Sequence, residues 1–141
     1  VYGKMMILTF EDSEEEILNH IISYVGIGAR AFQVAEIAKT NLNFNGLEID
    51  ITNRLVRKQR QEIDLTFIEF EVLYLLANNP GRVFSKEQIY DVVWKESYSG
   101  DYNIVMSHIH NIREKIEDNP SKPVYIQTVW GVGYRFNQKM L

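Results

Sequence analysis

Polar side chains able to form hydrogen bonds recur along one side of a helix predicted over about residues 102–117. At 100° per residue, the opposite side is apolar and comprises Val105, Ile109, Ile112 and Ile116. The outward positions are Asn103, Ser107, His110, Asn111 and Glu114. Asparagine can form a bidentate contact with adenine, and an α-helix fits the major groove of B-DNA. This face could therefore read DNA, although any solvent-exposed helix also presents a polar face.

Two charged residues of the same helix bear on that interpretation. Arg113 lies at the edge of the apolar stripe, from where it could reach a phosphate or a neighbouring acid. Glu114 would repel phosphates unless it pairs with Lys115, accepts from a cytosine amino group or points past the groove. A surface that binds protein instead of DNA therefore remains an alternative.

Further candidates surround the preceding predicted helix, which begins at Ser85. The unpaired N–H groups of its first turn, together with Arg82 and Lys86, would suit a phosphate. Trp94, near its end, could donate its indole N–H to a phosphate. A tryptophan after two valines is more often part of the core, and the two roles are compatible.

The stretch "YIQTVWGVGYRF", residues 125–136, predicts a short β-hairpin whose turn uses the positive φ that Gly131 and Gly133 allow. We expect inward residues to anchor it on the helices, and these are predicted to be Ile126 and Val129 with Tyr134 or Phe136. The outward residues would then reach an adjacent groove or backbone, and they are Thr128, Trp130 and Arg135. Alternatively, the hairpin only completes a sheet and Arg135 is solvated.

The elements that would position these side chains follow from local patterns. "FNGLEIDI", "RLVRK" and "QEIDLT" are short β-prone runs that predict an antiparallel meander. A helix follows, with Thr66 and Glu69 at capping-box spacing. The order from residue 42 is then β-β-β-α-α-α-β-β. This order predicts an α+β fold, a winged helix-turn-helix preceded by an extra antiparallel sheet.

Composition limits the possible classes of protein. The chain has 141 residues, of which 45% are hydrophobic, and no cysteine, which excludes disulfides and thiolate metal sites. No apolar run approaches the roughly 18 residues that would span a bilayer, so a cytoplasmic protein without a membrane partner is predicted. No arrangement of residues recommends catalysis, a metal site or a cofactor, and the chain is predicted not to be an enzyme. The net charge of −4 means that DNA binding would need a locally basic surface.

"LTFIEFEVLYLLANNPGRVFSKEQIYDVVW" and "HIHNIREKIEDNPSKPVYIQTVWGVGYRF" strongly resemble the C-terminal effector domain of OmpR/PhoB-type bacterial response regulators. The resemblance runs from about Phe44 to Phe136. It implies a transcriptional regulator of a two-component system that binds double-stranded DNA through the helix at 102–117 and the wing at 125–136. It also implies that the loop "KESYSGDY", residues 95–102, can engage RNA polymerase.

The resemblance further implies roles for single residues. Specificity would rest with His110, Asn111 and Arg113, phosphate contacts with Asn103 and His108, and wing contacts with Thr128 and Trp130. The chain departs from the common pattern, because Met106, Ser107, Asn111 and Trp130 replace a frequent Asp, Val, Arg and Arg. Fewer arginines predict weaker phosphate attraction, so we expect a homodimer on DNA.

Residues 1–41 are predicted to be a receiver-like remnant or linker, separate from the effector domain at 42–141. "MMILTF" predicts a strand and "EDSEEEILNHIISYV" a helix, with Ser13 and Glu16 at capping-box spacing. The segment resembles either the first strand and helix of a receiver or its last strand, last helix and linker. Since it lacks room for the phosphoacceptor aspartate and begins at Val1, a truncated fragment without phospho-aspartate regulation is predicted. Glu11 and Asp12 are interpreted as helix-flanking acids, not as a magnesium site.

Overall fold

The computed structural model describes residues 9–25, 40–96 and 101–141, and the chain divides into two compact units, Val1–Ala38 and Lys39–Leu141. In the first unit, a 3₁₀ turn at Asp12–Glu14 leads into helix α1, Glu15–Val25. The predicted Ser13–Glu16 capping box is wrong, because the turn begins earlier. The N–H of Glu11, the residue that caps the turn, donates to the Glu14 carboxylate at 3.0 Å. The predicted strand "MMILTF" lies almost entirely outside the described residues.

The second unit opens with a four-stranded antiparallel sheet in the order β1-β2-β3-β4. The strands are Asn41–Phe44, Leu47–Asp50, Leu55–Lys58 and Gln61–Ile63. The prediction of three strands missed one, because the run "FNGLEIDI" folds back on itself at Asn45 and Gly46. Gly46 has φ +78°, and an Asn-Gly pair is the preferred two-residue hairpin turn.

Three helices, a hairpin and a final 3₁₀ turn at Gln138–Met140 complete the unit, and this order confirms the predicted α+β winged helix-turn-helix. The helices are α2 (Phe67–Ala77), α3 (Lys86–Trp94) and α4 (Tyr102–Ile116), and the hairpin strands are β5 (Ile126–Val129) and β6 (Gly133–Phe136). Thr66 accepts the Glu69 N–H, and the Glu69 carboxylate accepts the Thr66 N–H. This reciprocal pair is the predicted capping box, and it fixes the start of α2.

The core of the unit lies where the three helices meet each other and the hairpin. All four predicted apolar positions of α4 are buried, with at most 1% exposure, and Ile126 and Phe136 of the hairpin are fully buried. The apolar stripe therefore fixes which side of α4 faces outward. None of the helices in the described ranges has the length and apolar character needed to cross a bilayer.

Candidate nucleic-acid interface

The outward side of α4 is solvent-exposed as the periodicity predicted, with Asn103, Ser107, His110, Asn111 and Glu114 all on the surface. Glu114 does not pair with Lys115. Its carboxylate lies 3.9 Å from His110 Nε2 across one turn, where an ion pair forms only when the imidazole is protonated. The outward side therefore offers amide, hydroxyl and imidazole groups with one acid among them.

Arg113 connects this helix to the hairpin. Its Nε and Nη2 donate to the Ile126 carbonyl at 3.2 and 2.8 Å, and Nη2 also donates to Thr128 Oγ1 at 2.8 Å. The guanidinium lies 5.6 Å from the Tyr134 ring. Burial lowers the pKa of Arg113, while Tyr134 and Glu117 oppose that shift. The predicted contact residues Arg113 and Thr128 are thus engaged with each other inside the protein.

The hairpin register corrects the predicted faces of β5. Ile126 pairs with Phe136 and Thr128 pairs with Tyr134. Since side chains alternate along a strand, Ile126 and Thr128 share the inward face, and Val129 cannot join them. The prediction that Thr128 points outward and Val129 inward was therefore wrong. Exposed Trp130 and Arg135 fit their predicted orientation, although Arg135 Nε donates to Gln127 Oε1 at 2.9 Å.

Glu117 forms a second connection between α4 and the hairpin, and the sequence reasoning missed it. Its buried carboxylate accepts the N–H groups of Val124, Tyr125 and Ile126 at 2.8 to 3.1 Å. Val124 and Tyr125 directly precede β5, and Ile126 begins it. The side chain of Glu117, the residue that follows α4, therefore binds the backbone where the hairpin starts. The one feature of the sequence that could have indicated this role is that a glutamate directly follows Ile116, the last apolar position of α4.

Gly133 provides a third connection, to the segment before α3. Phe84 and Tyr134 exchange both backbone hydrogen bonds, at 2.8 and 2.9 Å. A Cβ on Gly133 would overlap the Phe84 carbonyl oxygen and lie 2.7 Å from its carbonyl carbon. Gly133 is therefore needed for close approach, whereas the predicted positive φ belongs to Gly131, at +76°.

The residues around α3 that were predicted to contact phosphate differ in their exposure and in what they contact. Arg82 is exposed, with its guanidinium 4.6 Å from the Phe84 ring, and Lys86 is the first residue of α3. Trp94 packs against the core and stacks on Tyr90 with ring centroids 4.9 Å apart, in agreement with a core role. The His108 ring lies 5.4 Å from that of Trp94, and its Nδ1 is buried without a hydrogen-bond partner among the described residues. The predicted phosphate contact of His108 would therefore have to use Nε2.

An ion pair with one buried partner ties α4 to α2. Lys115 Nζ lies 2.6 Å from the carboxylate of Glu69, whose side chain is 4% exposed. Burial raises the pKa of Glu69, but the hydrogen bonds from Lys115 and from the Thr66 N–H outweigh it and hold the pKa below its ordinary 4.5. A carboxylate with a lowered pKa stabilises the fold above the pKa of the unfolded chain, and its contribution is lost as the pH falls.

We therefore expect the free energy of unfolding to fall as the pH drops below about 4.5, and part of that fall to depend on Glu69. Urea titrations from pH 6 to pH 3 measure it for the natural chain and for Glu69→Gln. The variant should be less stable at pH 6 and show a shallower dependence on pH. Equal slopes for the two proteins would contradict this role of Glu69.

A family model described as "Transcriptional regulatory protein, C terminal" matches residues 60–136, more than half of the chain. The chain belongs to this family. The transcriptional regulatory protein YcbL of Bacillus subtilis is 47% identical over 97 residues, which cover 69% of the chain and 43% of YcbL. The chain spans about half the length of the curated relatives it matches.

Two solved structures share this fold. The OmpR/PhoB homologue DrrB of Thermotoga maritima aligns with a TM-score of 0.66 and 32% identity, over 92% of this chain and 55% of DrrB. The DNA-binding domain of Klebsiella pneumoniae RstA, solved in complex with the RstA box, aligns with a TM-score of 0.65 and 28% identity. That alignment covers 70% of this chain and 98% of the RstA domain. The predicted resemblance to OmpR/PhoB-type effector domains is confirmed.

One further predicted site of this chain lies partly outside the described residues. The loop at 95–102, predicted to engage RNA polymerase, includes residues 97–100, which are not described. In the ranges that are described, no three histidine, aspartate or glutamate side chains lie together as metal ligands would. The site is thus an exposed helical face beside a hairpin that three sets of contacts hold in place.

Proposed function

We propose that the chain is a transcriptional regulator of a two-component system that binds specific double-stranded DNA in the bacterial cytoplasm. The observation that carries the proposal is the division of α4 into two sides. Its apolar side is fully buried against the other helices, while its hydrogen-bonding side is exposed next to the β5–β6 wing. A helix of this kind fits the major groove, and RstA, a structural relative, was solved with its DNA box.

Within this proposal, different side chains of α4 have different roles in DNA binding. Asn111 and His110 lie near the middle of the outward side of α4 and are proposed to contact base edges. Asn103 and Ser107 are closer to its N-terminus and are proposed to contact the backbone. Arg113 is a positioning residue, because two of its three nitrogens already donate to the wing.

Exposed cations outside α4 would supply phosphate contacts. Arg82 and Arg135 are on the surface, and Lys86 is the first residue of α3, at the positive end of the helix dipole. These are few charges for a DNA-binding surface on a chain of net charge −4. The proposal therefore includes a homodimer on DNA, in which two protomers add their phosphate contacts.

We also propose that residues 1–41 derive from a receiver and that the loop at 95–102 engages RNA polymerase. The alignment with DrrB supports the first point, because it covers more of the chain than the Lys39–Leu141 unit contains. The second rests on the family resemblance and on the position of the loop between α3 and α4.

A protein-interaction module is the alternative function, and Glu114 favours it. This exposed acid lies on the proposed reading face, where it opposes phosphate. Selection from randomised duplexes separates the two functions. The proposal expects enriched sequences whose binding weakens steeply with salt, whereas a protein-interaction module would enrich none.

Replacing Asn111 by Ala should weaken binding to the selected sequence by about 1–3 kcal/mol and relax the preference at one base position, because one bidentate base contact is lost. Fluorescence anisotropy against single-base variants of the selected duplex measures both effects. Asn43→Ala is the matched control, since Asn43 is exposed on β1 and not on α4 or the wing. A uniform loss across all duplexes would assign Asn111 to the backbone instead.

A further inference from the structure

His110 and Glu114 form a pair of ionisable side chains on the outward side of α4. They are one helical turn apart, and the Glu114 carboxylate lies 3.9 Å from His110 Nε2. Both side chains are exposed, at 69% for His110 and 55% for Glu114. A distance of 3.9 Å is longer than a hydrogen bond, so a neutral imidazole leaves the carboxylate unpaired. The two groups attract each other as ions only when His110 carries a second proton.

Few charged groups surround His110. Among the described residues, Glu114 is the only acid within ion-pair distance of it. Arg113, on the same helix, turns its guanidinium to the wing, and the one charged residue of the hairpin, Arg135, is bonded within the hairpin. Helices α2 and α3 pack on the apolar side of α4, and Glu69 of α2 is already in an ion pair there. Protonation of His110 therefore depends on Glu114 and on the ligand that the outward side binds.

The other two histidines of the chain are placed differently. His108 has its Nδ1 buried without a hydrogen-bond partner among the described residues, so a proton on that atom would find no acceptor. His20 is exposed on α1, in the first unit of the chain. His110 is therefore the histidine whose charge can change on the exposed side of α4.

We propose that DNA binding by this chain takes up a proton at His110, and that Glu114 is the residue that couples the two events. The inference rests on the proposed DNA binding and adds its dependence on pH. An imidazolium has two N–H donors, of which one bonds Glu114 and the other bonds a guanine edge or a phosphate. A neutral imidazole has one donor and leaves the charge of Glu114 facing the phosphates.

The direction of the pH dependence follows from which state holds more protons. Imidazoles change charge between about pH 5 and pH 8, and in the upper part of this range the complex holds more protons than the free chain. Binding therefore strengthens as the pH falls, and it levels off once the free chain is itself protonated. This linkage gives the acid on the outward side of α4 a role, because Glu114 then orients an imidazolium instead of opposing DNA.

The first test measures affinity by anisotropy at pH 5.5, 6.5 and 7.5 and constant salt, with the 141-residue chain and a duplex that it selects. The natural chain should bind about 3- to 10-fold more tightly at pH 5.5 than at pH 7.5, as expected for uptake of at most one proton. His110→Gln should vary by less than about two-fold, because glutamine keeps an N–H donor but does not titrate. His20→Gln is the matched control and should keep the full dependence.

Replacement of the acid separates coupling from the simple titration of a histidine. Glu114→Gln should bind about 2- to 5-fold more tightly than the natural chain at pH 7.5, because a charge that opposes the phosphates is removed. Its affinity should also change less between pH 7.5 and pH 5.5. A full pH dependence in Glu114→Gln would overturn the proposal, because the proton would then not depend on this carboxylate.

The second test counts the protons directly. Calorimetry at pH 6.5 in two buffers of different ionisation enthalpy should show uptake of about 0.3 to 1 proton per protomer for the natural chain and about none for His110→Gln. Equal uptake by the two proteins would place the proton on another group and overturn the proposal. A duplex bound equally at pH 5.5 and pH 7.5 would overturn the proton linkage alone. If the chain enriches no duplex at either pH, the proposed DNA binding itself fails, which is a separate result.

Discussion

Gly133→Ala should lower the free energy of unfolding by about 3–5 kcal/mol, because the added methyl group has no space and two hydrogen bonds are lost with it. The new Cβ would overlap the Phe84 carbonyl oxygen and lie 2.9 Å from Ser85 Cα. Both neighbours are backbone atoms, so no side-chain rotation can relieve the overlap. Strand β6 would have to move away from the segment before α3, and both Phe84–Tyr134 hydrogen bonds would be lost.

Gly131→Ala is the matched control for this substitution. It adds the same methyl group to the same hairpin, where nothing lies within 4 Å of the new Cβ. Its cost should be about 1–2 kcal/mol, which is the strain of an L-residue at φ +76°. Urea denaturation followed by circular dichroism measures both variants. If Gly131→Ala were the more destabilising of the two, the close approach at Gly133 would not be the reason for this glycine.

Glu117→Ala should cost about 3–5 kcal/mol, because its carboxylate satisfies three backbone N–H groups at the start of the wing. Without it, these donors lose a charged acceptor and the connection between α4 and β5 loosens. Glu117→Gln should cost less, since one carbonyl oxygen still accepts. Its amide group, however, presents donors where acceptors are needed.

Glu114→Gln is the matched control, because the same chemical change is made three residues away on an exposed side chain. It should alter stability by less than about 0.5 kcal/mol. Thermal and urea unfolding measure the three variants, and hydrogen exchange at the Val124, Tyr125 and Ile126 amides reports on the wing directly. Slow exchange of these amides in Glu117→Ala would contradict the proposed anchoring role.

Substitutions at Gly133 and Glu117 should affect DNA binding as well as stability. The wing is useful only if it is held at a constant position relative to α4, and Arg113, Glu117 and Gly133 each contribute one connection. A variant that loosens one connection should therefore weaken DNA binding even though none of these residues is proposed to contact a base.

The amino-acid sequence by itself determined the parts of this protein that depend on local periodicity and short-range hydrogen bonds. The buried side of α4 follows from apolar residues three and four positions apart. The start of α2 follows from the Thr66–Glu69 capping box, whose partners are three residues apart. The order of the three helices and the hairpin and the family resemblance followed from the same local patterns, although the leading sheet has four strands and three were predicted. These patterns were sufficient to identify the exposed side of α4 as the candidate site.

Only the tertiary structure decided how the wing is held. Arg113 was predicted to reach a phosphate or a neighbouring acid, but its bonds go to Ile126 and Thr128 on a strand thirteen and fifteen residues later. The neighbour that makes Gly133 necessary is Phe84, which belongs to a segment before α3. Apolar and aromatic residues occur on both faces of the hairpin, so alternation alone could not assign Thr128 and Val129. Such contacts join residues that are distant along the chain, and no local pattern encodes which of them meet.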